Sequence, residues 1–377
     1  MTSPIKKLEV IPVSVKSTNW DQSTVVIRLT DENGLTGIGE ADGPPATMVE
    51  YINQDTAHGW SRNFEEMLLG RDPFEIPAIW DTLYEGSRWQ GARGLGLFAI
   101  SGIDMALYDL VGKQLGVPAY KLLGGAQRQA LTPYMTLYPT STAEDPLEKH
   151  LEEYKVLMDR CKSWGVKAVK MAIFTNESDR ALTRFIKTAR EYLDDSMELA
   201  VDFLYRWNDP YAALRVLKEL DECNLYFAEA ILNHDQIEGH KVVTDRINTR
   251  VCGAEMATTR FEVREWIQKA GVAIVQPDVN RCGGLTELRR IADYCELHGV
   301  ELMPHCWKTG TSAAASRHFQ AASKVSTFFE YLHPELTDSP LREHLVTPEP
   351  VIRDGQFELP TEPGLGIELN EAYLQSI

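Results

Sequence analysis

Between Val201 and His305, four acidic residues and one histidine each stand at or just past the end of a short apolar run: AVD (Asp202), YFAE (Glu229), VCGAE (Glu255), AIVQPD (Asp278) and ELMPH (His305). The steps between them are 27, 26, 23 and 27 residues. A strand of Val, Ile, Phe and Ala does not end in a carboxylate for packing reasons, because an unpaired buried charge costs several kcal/mol. One such residue alone serves equally well as a salt-bridged or helix-capping group. Three at matched spacing that converge on one place need a cation. Hard oxygen ligands from three separate strand ends, Asp202, Glu229 and Glu255, suit one Mg²⁺, which takes few carboxylates and keeps positions open for water or substrate.

The elements that must position these groups follow from the same spacing. Each step accommodates one strand, one amphipathic helix and two short loops. A repeating βα unit with a polar residue at successive strand ends describes a parallel barrel, whose strand C-termini converge on one mouth. From Leu131 the segments LTPYMTL, KAVKMAI, ELAVDF, LYFAEA, RVCGAE, AIVQPD, VELMPH and STFFEY supply eight strands. The helix after Asp278 shows apolar spacing of three and four at Leu285, Leu288, Ile291, Ala292 and Cys295. Gly283-Gly284 before it could offer N–H groups to an anion, although close packing of the turn accounts for the pair more simply.

Residues 1–125 lack this rhythm. IKKLEVIPVSV, STVVIRLT and GLTGIGEA form three antiparallel strands, the last two joined at Asp31-Glu32-Asn33-Gly34, where Asn-Gly favours a tight turn. Helical patterns follow, and the last, GLGLFAISGIDMALYDLVGKQLG, stops at Gly116-Val117-Pro118. The expected fold is therefore α/β: a (β/α)₈ barrel over residues 126–345, an α+β unit over 1–125, and a proline-rich segment over 346–377 with two short strands about Asp354-Gly355.

A chain of 377 residues exceeds the size at which one core usually stops growing, in keeping with two domains. A net charge of −17 argues against nucleic acid and anionic membranes as partners, but not against a small anionic substrate at a mouth that holds a divalent cation. The start, MTSPIKKLEVIPVSV, breaks its apolar character at Glu9 and Pro12 and does not read as a signal peptide. No unbroken apolar run approaches the ~20 residues needed to cross a bilayer. The six cysteines (161, 223, 252, 282, 295, 306) are scattered with no CxxC spacing, so neither zinc nor a disulfide framework is expected, and cytoplasmic residence is the simplest reading. Cys306, beside His305, could be exposed at the site.

With Glu330 closing the run FFE, the series Asp202, Glu229, Glu255, Asp278, His305 and Glu330 resembles the enolase superfamily in its mandelate racemase subgroup. The resemblance implies an enolase-like modified barrel under an N-terminal capping domain that the C-terminal segment completes. It implies Mg²⁺ on Asp202, Glu229 and Glu255, an acid/base dyad of Asp278 with His305, and a Glu330 that hydrogen-bonds the developing oxyanion, donating if protonated. Two cap loops, about Lys16 to Ser23 with Trp20 and about Ala41 to Thr47, would select the substrate, and a homo-oligomer, dimer to octamer, is expected.

Relatives of mandelate racemase end their second strand in Lys-x-Lys, the first lysine neutralising the substrate carboxylate and the second acting as a base opposite the histidine. This chain has Lys170-Met171-Ala172, so Lys170 is present and Ala172 replaces the second base. Racemisation needs an acid/base on each face, whereas one imidazole can take the α-proton and return it to a β-hydroxyl leaving on the same face. Asp202-Phe203-Leu204 puts leucine where D-galactonate dehydratases carry a histidine acid. The pattern most resembles dehydratases of the L-rhamnonate and L-lyxonate type, implying a Mg²⁺-dependent hydro-lyase that converts a sugar acid to a 2-keto-3-deoxy acid. The alternatives are a racemase or epimerase whose second base is Tyr205 or Lys308, and a barrel that keeps its metal site without catalysis. Tyr205, Lys308, Trp20 and Lys170 are the candidate substrate contacts.

Overall fold

The computed structural model describes residues 3–16, 22–57, 60–91 and 93–377. Strands β1 (Ile5–Val15), β2 (Gln22–Asp31) and β3 (Thr36–Ala41) form an antiparallel meander. The Asp31 carboxylate shapes its second turn by accepting the N–H groups of Asn33 and Leu35, both at 2.9 Å, and Gly34 supplies the left-handed φ of 84°. The helix Leu95–Leu115 lies across this sheet. Gly37 and Gly39 of β3 make the approach possible: a Cβ on either would stand 2.2 Å from the carbonyl oxygen of Ala106 or 2.0 Å from that of Gly102. That helix is also long and apolar enough to span a membrane by length and composition, but most of it is buried within the protein.

After a short strand β4 (Ala130–Leu131), eight parallel strands follow: β5 (Pro133–Leu137), β6 (Ala168–Ala172), β7 (Glu198–Asp202), β8 (Ala228–Glu229), β9 (Val251–Gly253), β10 (Ile274–Val275), β11 (Glu301–Leu302) and β12 (Phe329–Tyr331). They pair in the order β11-β10-β9-β8-β7-β6-β5-β12. The curled sheet is joined across its open edge by the Leu302 N–H on the Val325 carbonyl at 2.9 Å. All eight strands foreseen in the sequence are present, but shorter than their apolar runs. Glu255, Asp278 and His305 lie beyond the last paired residues of their strands, where the backbone is free to turn each side chain into the mouth.

One residue from each strand segment fills the barrel floor: Tyr134, Ala168, Ala200, Phe227, Cys252, Ile274, Met303 and Phe328 form a buried cluster of their own. Bulky and small members mesh in a closed layer, so the polar mouth rests on a dry base. Beyond the barrel, β14 (Phe357–Glu358) pairs antiparallel with β4, and β13 (Val346–Thr347) pairs with β15 (Glu368–Leu369). Asp109 of the long helix accepts the N–H of Ile38 at 2.9 Å and of Leu365 at 2.8 Å, joining β3 to the C-terminal segment. All six cysteines are free and buried. Cys306, expected near the surface of the site, is enclosed, with its Sγ 3.7 Å from the Ser312 hydroxyl.

Gly39→Ala tests the close approach of sheet and helix. Because its methyl would collide with backbone that cannot give way, the substitution should cost ~3 kcal/mol or more, lowering the melting temperature by about 6 °C or more. An unchanged melting curve would refute the packing described.

Candidate active site

The register of the barrel brings the acidic residues together. Asp202 pairs with Glu229 across β7 and β8, and Asp202 pairs with Ala172 across β6 and β7. Backbone strain helps to aim them: Leu204, Tyr205, Ala230 and Ala254 all adopt left-handed φ values, at 49°, 59°, 47° and 74°, immediately beside the three carboxylates. Non-glycine residues hold such conformations at a cost of ~1–3 kcal/mol each, and they cluster where surrounding structure imposes them.

Lys170 stands at the centre. Its ammonium donates to both oxygens of Glu229 at 2.9 Å and contacts Glu330 at 2.8 Å, with all three side chains 1% exposed. One positive charge between two buried carboxylates neutralises one of them. Glu330 also accepts from the Thr136 hydroxyl and, at 2.8 Å, from the Cys306 N–H. Burial opposes its ionisation, but Lys170 and His305 outweigh that and hold it below the usual carboxylate range. Glu229 has Gln276 at 2.7 Å as a further donor, yet burial and its acidic neighbours push it up to about 8. Asp202 is raised to about 6 by burial, against the pull of Lys170 and with Glu255 adding to it.

His305 Nδ1 lies 2.6 Å from Asp278 Oδ2, and Asp278 Oδ1 accepts the Asn280 N–H at 2.7 Å. This clamp directs Nε2 to the mouth, where it meets Glu255 Oε2 at 3.3 Å. Burial disfavours the imidazolium, but Glu255 and Glu330 raise it to about 9. Burial likewise opposes ionisation of Glu255, which His305 and the Tyr205 hydroxyl bonded to it reverse, leaving it low.

These contacts bear on the predicted roles. Lys170, expected to face a substrate carboxylate, is enclosed by Glu229 and Glu330. Glu330, expected as a donor when protonated, is held ionised by its lysine and accepts three bonds. Lys308 is ion-paired with Asp42 and donates to the Ser23 carbonyl at 3.1 Å, and Tyr205 is engaged with Glu255, so neither stands as a free base. The Gly283 N–H is taken by the Ser101 hydroxyl at 2.8 Å and its carbonyl by Trp80 at 2.8 Å, which makes that turn a packing feature. Trp20 lies outside the described residues.

The carboxylates suit a divalent cation by chemistry and by charge. Among the described residues no three metal-ligating side chains close around one point, because Glu229 is turned to Lys170 and Glu255 to Tyr205 and His305. Their oxygens are hard ligands, however, and burial and acidic neighbours raise Glu229 and Asp202 in spite of Lys170. A divalent ion held there would favour their ionised forms.

Several site residues escaped sequence reading. Gln276 follows Ile274 by two residues, and Thr136 follows Tyr134 by two, so alternation places each above a residue of the barrel floor. Two groups come from the cap. Asp42 binds Arg281 Nε at 2.6 Å as well as Lys308. Glu40, wholly buried and raised by that burial, receives Thr24 at 2.6 Å and Thr309 at 2.8 Å. No local pattern in one sequence joins residues so far apart in the chain.

Comparison with known proteins agrees with this architecture. Residues 2–124 match the mandelate racemase / muconate lactonizing enzyme N-terminal domain, and residues 153–373 match the enolase C-terminal domain-like family. The chain is 30% identical to a D-galactarolactone cycloisomerase of Agrobacterium fabrum, over 96% of this chain and 93% of that one. It is 28% identical to a D-galactonate dehydratase of Verminephrobacter eiseniae, over 92% and 89%. A solved structure of a protein provisionally described as a racemase superimposes with a TM-score of 0.96 at 47% identity, covering 100% of this chain and 98% of the other.

The charge imbalance at Glu229 has a measurable consequence. Its carboxyl is raised from 4.5 to about 8 on folding, so the folded state binds the extra proton, and the group's destabilisation is absent below about pH 4.5 and grows as the pH rises toward 8. In EDTA, Glu229→Gln should melt above the wild type at pH 8, by on the order of a few kcal/mol, with the difference gone near pH 4.5. A variant less stable than wild type at pH 8 in EDTA would show that Lys170 already satisfies Glu229.

Proposed function

The chain belongs to the mandelate racemase / muconate lactonizing enzyme family of the enolase superfamily, and from that premise we propose that it is a Mg²⁺-dependent acid-sugar dehydratase that converts an aldonate to a 2-keto-3-deoxy acid. The observation that carries this reading is the His305 imidazole, clamped by Asp278 at 2.6 Å, that presents Nε2 to the carboxylate cluster. Dehydratase relatives such as the D-galactonate enzyme support the hydro-lyase class.

In this reading Asp202, Glu229 and Glu255 would hold one Mg²⁺, which when bound supplies the positive charge that makes a proton α to a carboxylate acidic enough to remove. His305 Nε2 takes that proton. Asp278 keeps the Nδ1 proton in place and stabilises the imidazolium so formed. The same Nε2–H is then delivered to the β-hydroxyl on the same face as its C–O bond breaks. Water leaves, and the resulting enol tautomerises to the 2-keto acid. Lys170, with Thr136 and the Cys306 N–H, fixes Glu330 and would add positive charge on the side of the substrate carboxylate. Trp20, Tyr205 and Lys308 are proposed substrate contacts. When Glu255 turns from His305, the imidazole loses its strongest raising neighbour and becomes a neutral base nearer physiological pH.

A racemase is the second reading, favoured by the 47% identity noted above. It needs a base on the opposite face. Ala172, wholly buried, offers none, and Tyr205 and Lys308 are already engaged. Exchange of the α-proton in D₂O without formation of a 2-keto acid would favour the racemase. No turnover of any kind would favour a non-catalytic metal site.

We further propose the division into a capping domain (1–125), a barrel (126–345) and a returning segment (346–377), and a cytoplasmic homo-oligomer acting on small molecules.

A sugar-acid library read with semicarbazide should reveal at least one substrate in Mg²⁺. His305→Asn should then lose both dehydration and α-proton exchange by about three orders of magnitude or more. Asp278→Asn should be severely impaired while still binding Mg²⁺. Retention of exchange by His305→Asn would assign the base to another residue.

A further inference from the structure

Arg317 lies on the helix Gly310–Ala322, away from the residues of the mouth. Its Nε is sealed from solvent and has no hydrogen-bond partner. Among the described residues its guanidinium makes no ion pair, and its nearest defined contact is the Phe357 ring, 5.4 Å from the guanidinium carbon. The acid in this neighbourhood is already committed: Glu349 receives two bonds from Arg342, both at 2.8 Å, and the Tyr331 hydroxyl. Burial pushes the Arg317 guanidinium below its ordinary value, with Tyr331 and Glu349 opposing that.

Arg317 lines a cavity of about 240 Å³ whose other walls include Pro348, Pro350, Val351, Leu359 and Pro360. None of the proposed catalytic or metal-binding residues lines it. At its rim Arg353 and Glu358 are paired at 2.8 Å and exposed, so their charges cancel, and Glu362 is exposed to solvent, where water and salt screen it. The interior charge is therefore that of Arg317. A planar cation without a partner, set among proline and leucine side chains, matches an anion that takes two parallel N–H bonds and carries a short apolar chain. The volume equals that of about eight liquid waters, enough for an acid of a few carbons.

We propose that this cavity is a second ligand site, separate from the mouth, that binds a small organic carboxylate through Arg317. The oxyanion sits on the guanidinium, and the carbon chain lies against the proline-lined wall. Charge and shape both exclude a cationic or strongly hydrated ligand from its interior.

Butyrate and inorganic phosphate are the probes, titrated calorimetrically into the full-length protein in EDTA, where the carboxylate-rich mouth repels anions. The wild type should bind butyrate in preference to phosphate. Arg317→Met should weaken butyrate by about tenfold or more, and its melting temperature should match or exceed that of the wild type, because it removes a buried cation without a partner. Arg317→Lys, which keeps the charge but not the fork, should also bind more weakly and serves if the Met variant does not fold. Crystals soaked with 4-bromobutyrate should show bromine in the cavity. Equal affinity in wild type and variants, no binding, preference for phosphate, or an acidic side chain of a second copy filling the cavity would each overturn the proposal.

Discussion

One lysine among buried carboxylates is the constraint on which the mouth of this barrel depends. Lys170 reaches Glu229 and Glu330 at 2.8–2.9 Å, with Asp202 on the adjoining strand β7 and Glu255 just past the end of β9. A single ammonium in a dry setting can hold one carboxylate ionised, and it holds Glu330, which has two further donors. Burial and acidic neighbours raise Glu229 even against Lys170 and Gln276, and Asp202 is raised with it. The barrel floor adds to the imbalance, since Tyr134, Phe227 and Met303 close it below and keep water from solvating the charges. The fold therefore holds an excess of buried acid, which a divalent cation bound as proposed would offset.

The second dependence is on the cap. Asp278 and His305 stand past the ends of their strands, where the sheet no longer fixes them. Three residues beyond each lies a cation, Arg281 and Lys308, and both bind the Asp42 carboxylate at the end of β3. Glu40, two residues earlier, takes the Thr309 hydroxyl and the Ser312 N–H. The dyad is thus clasped by the domain that also borders the mouth, and the glycines of β3 let the long cap helix lie close enough to support that edge.

Much of this was legible in the chain itself. Eight apolar runs ending near polar residues disclosed the barrel, and the matched steps from Asp202 to His305 disclosed the carboxylates and the histidine. Residues linked by strand alternation, such as Gln276 and Thr136, were within reach of the same reasoning but carried no distinguishing spacing. Asp42 and Glu40 were not legible, because their partners in the barrel lie more than 230 residues away in sequence. Nor could sequence tell that Lys170 would be enclosed: its identity declared a cation at a strand end, while its burial between Glu229 and Glu330 follows from how deep in the barrel β6 sets it. Cys306 was misjudged for a related reason, since its neighbour His305 faces the mouth while Cys306 is enclosed, its N–H held by Glu330 and its Sγ against Ser312.

The most direct measurement is the number of protons released when Mg²⁺ binds. Calorimetry at pH 7 in two buffers of different ionisation enthalpy gives that number without any substrate. With Glu229 protonated before the ion enters and ionised afterwards, about one proton or more per Mg²⁺ should leave each subunit. Tight Mg²⁺ binding with no proton released would contradict the account, because it would mean that Lys170 alone had already balanced the carboxylates.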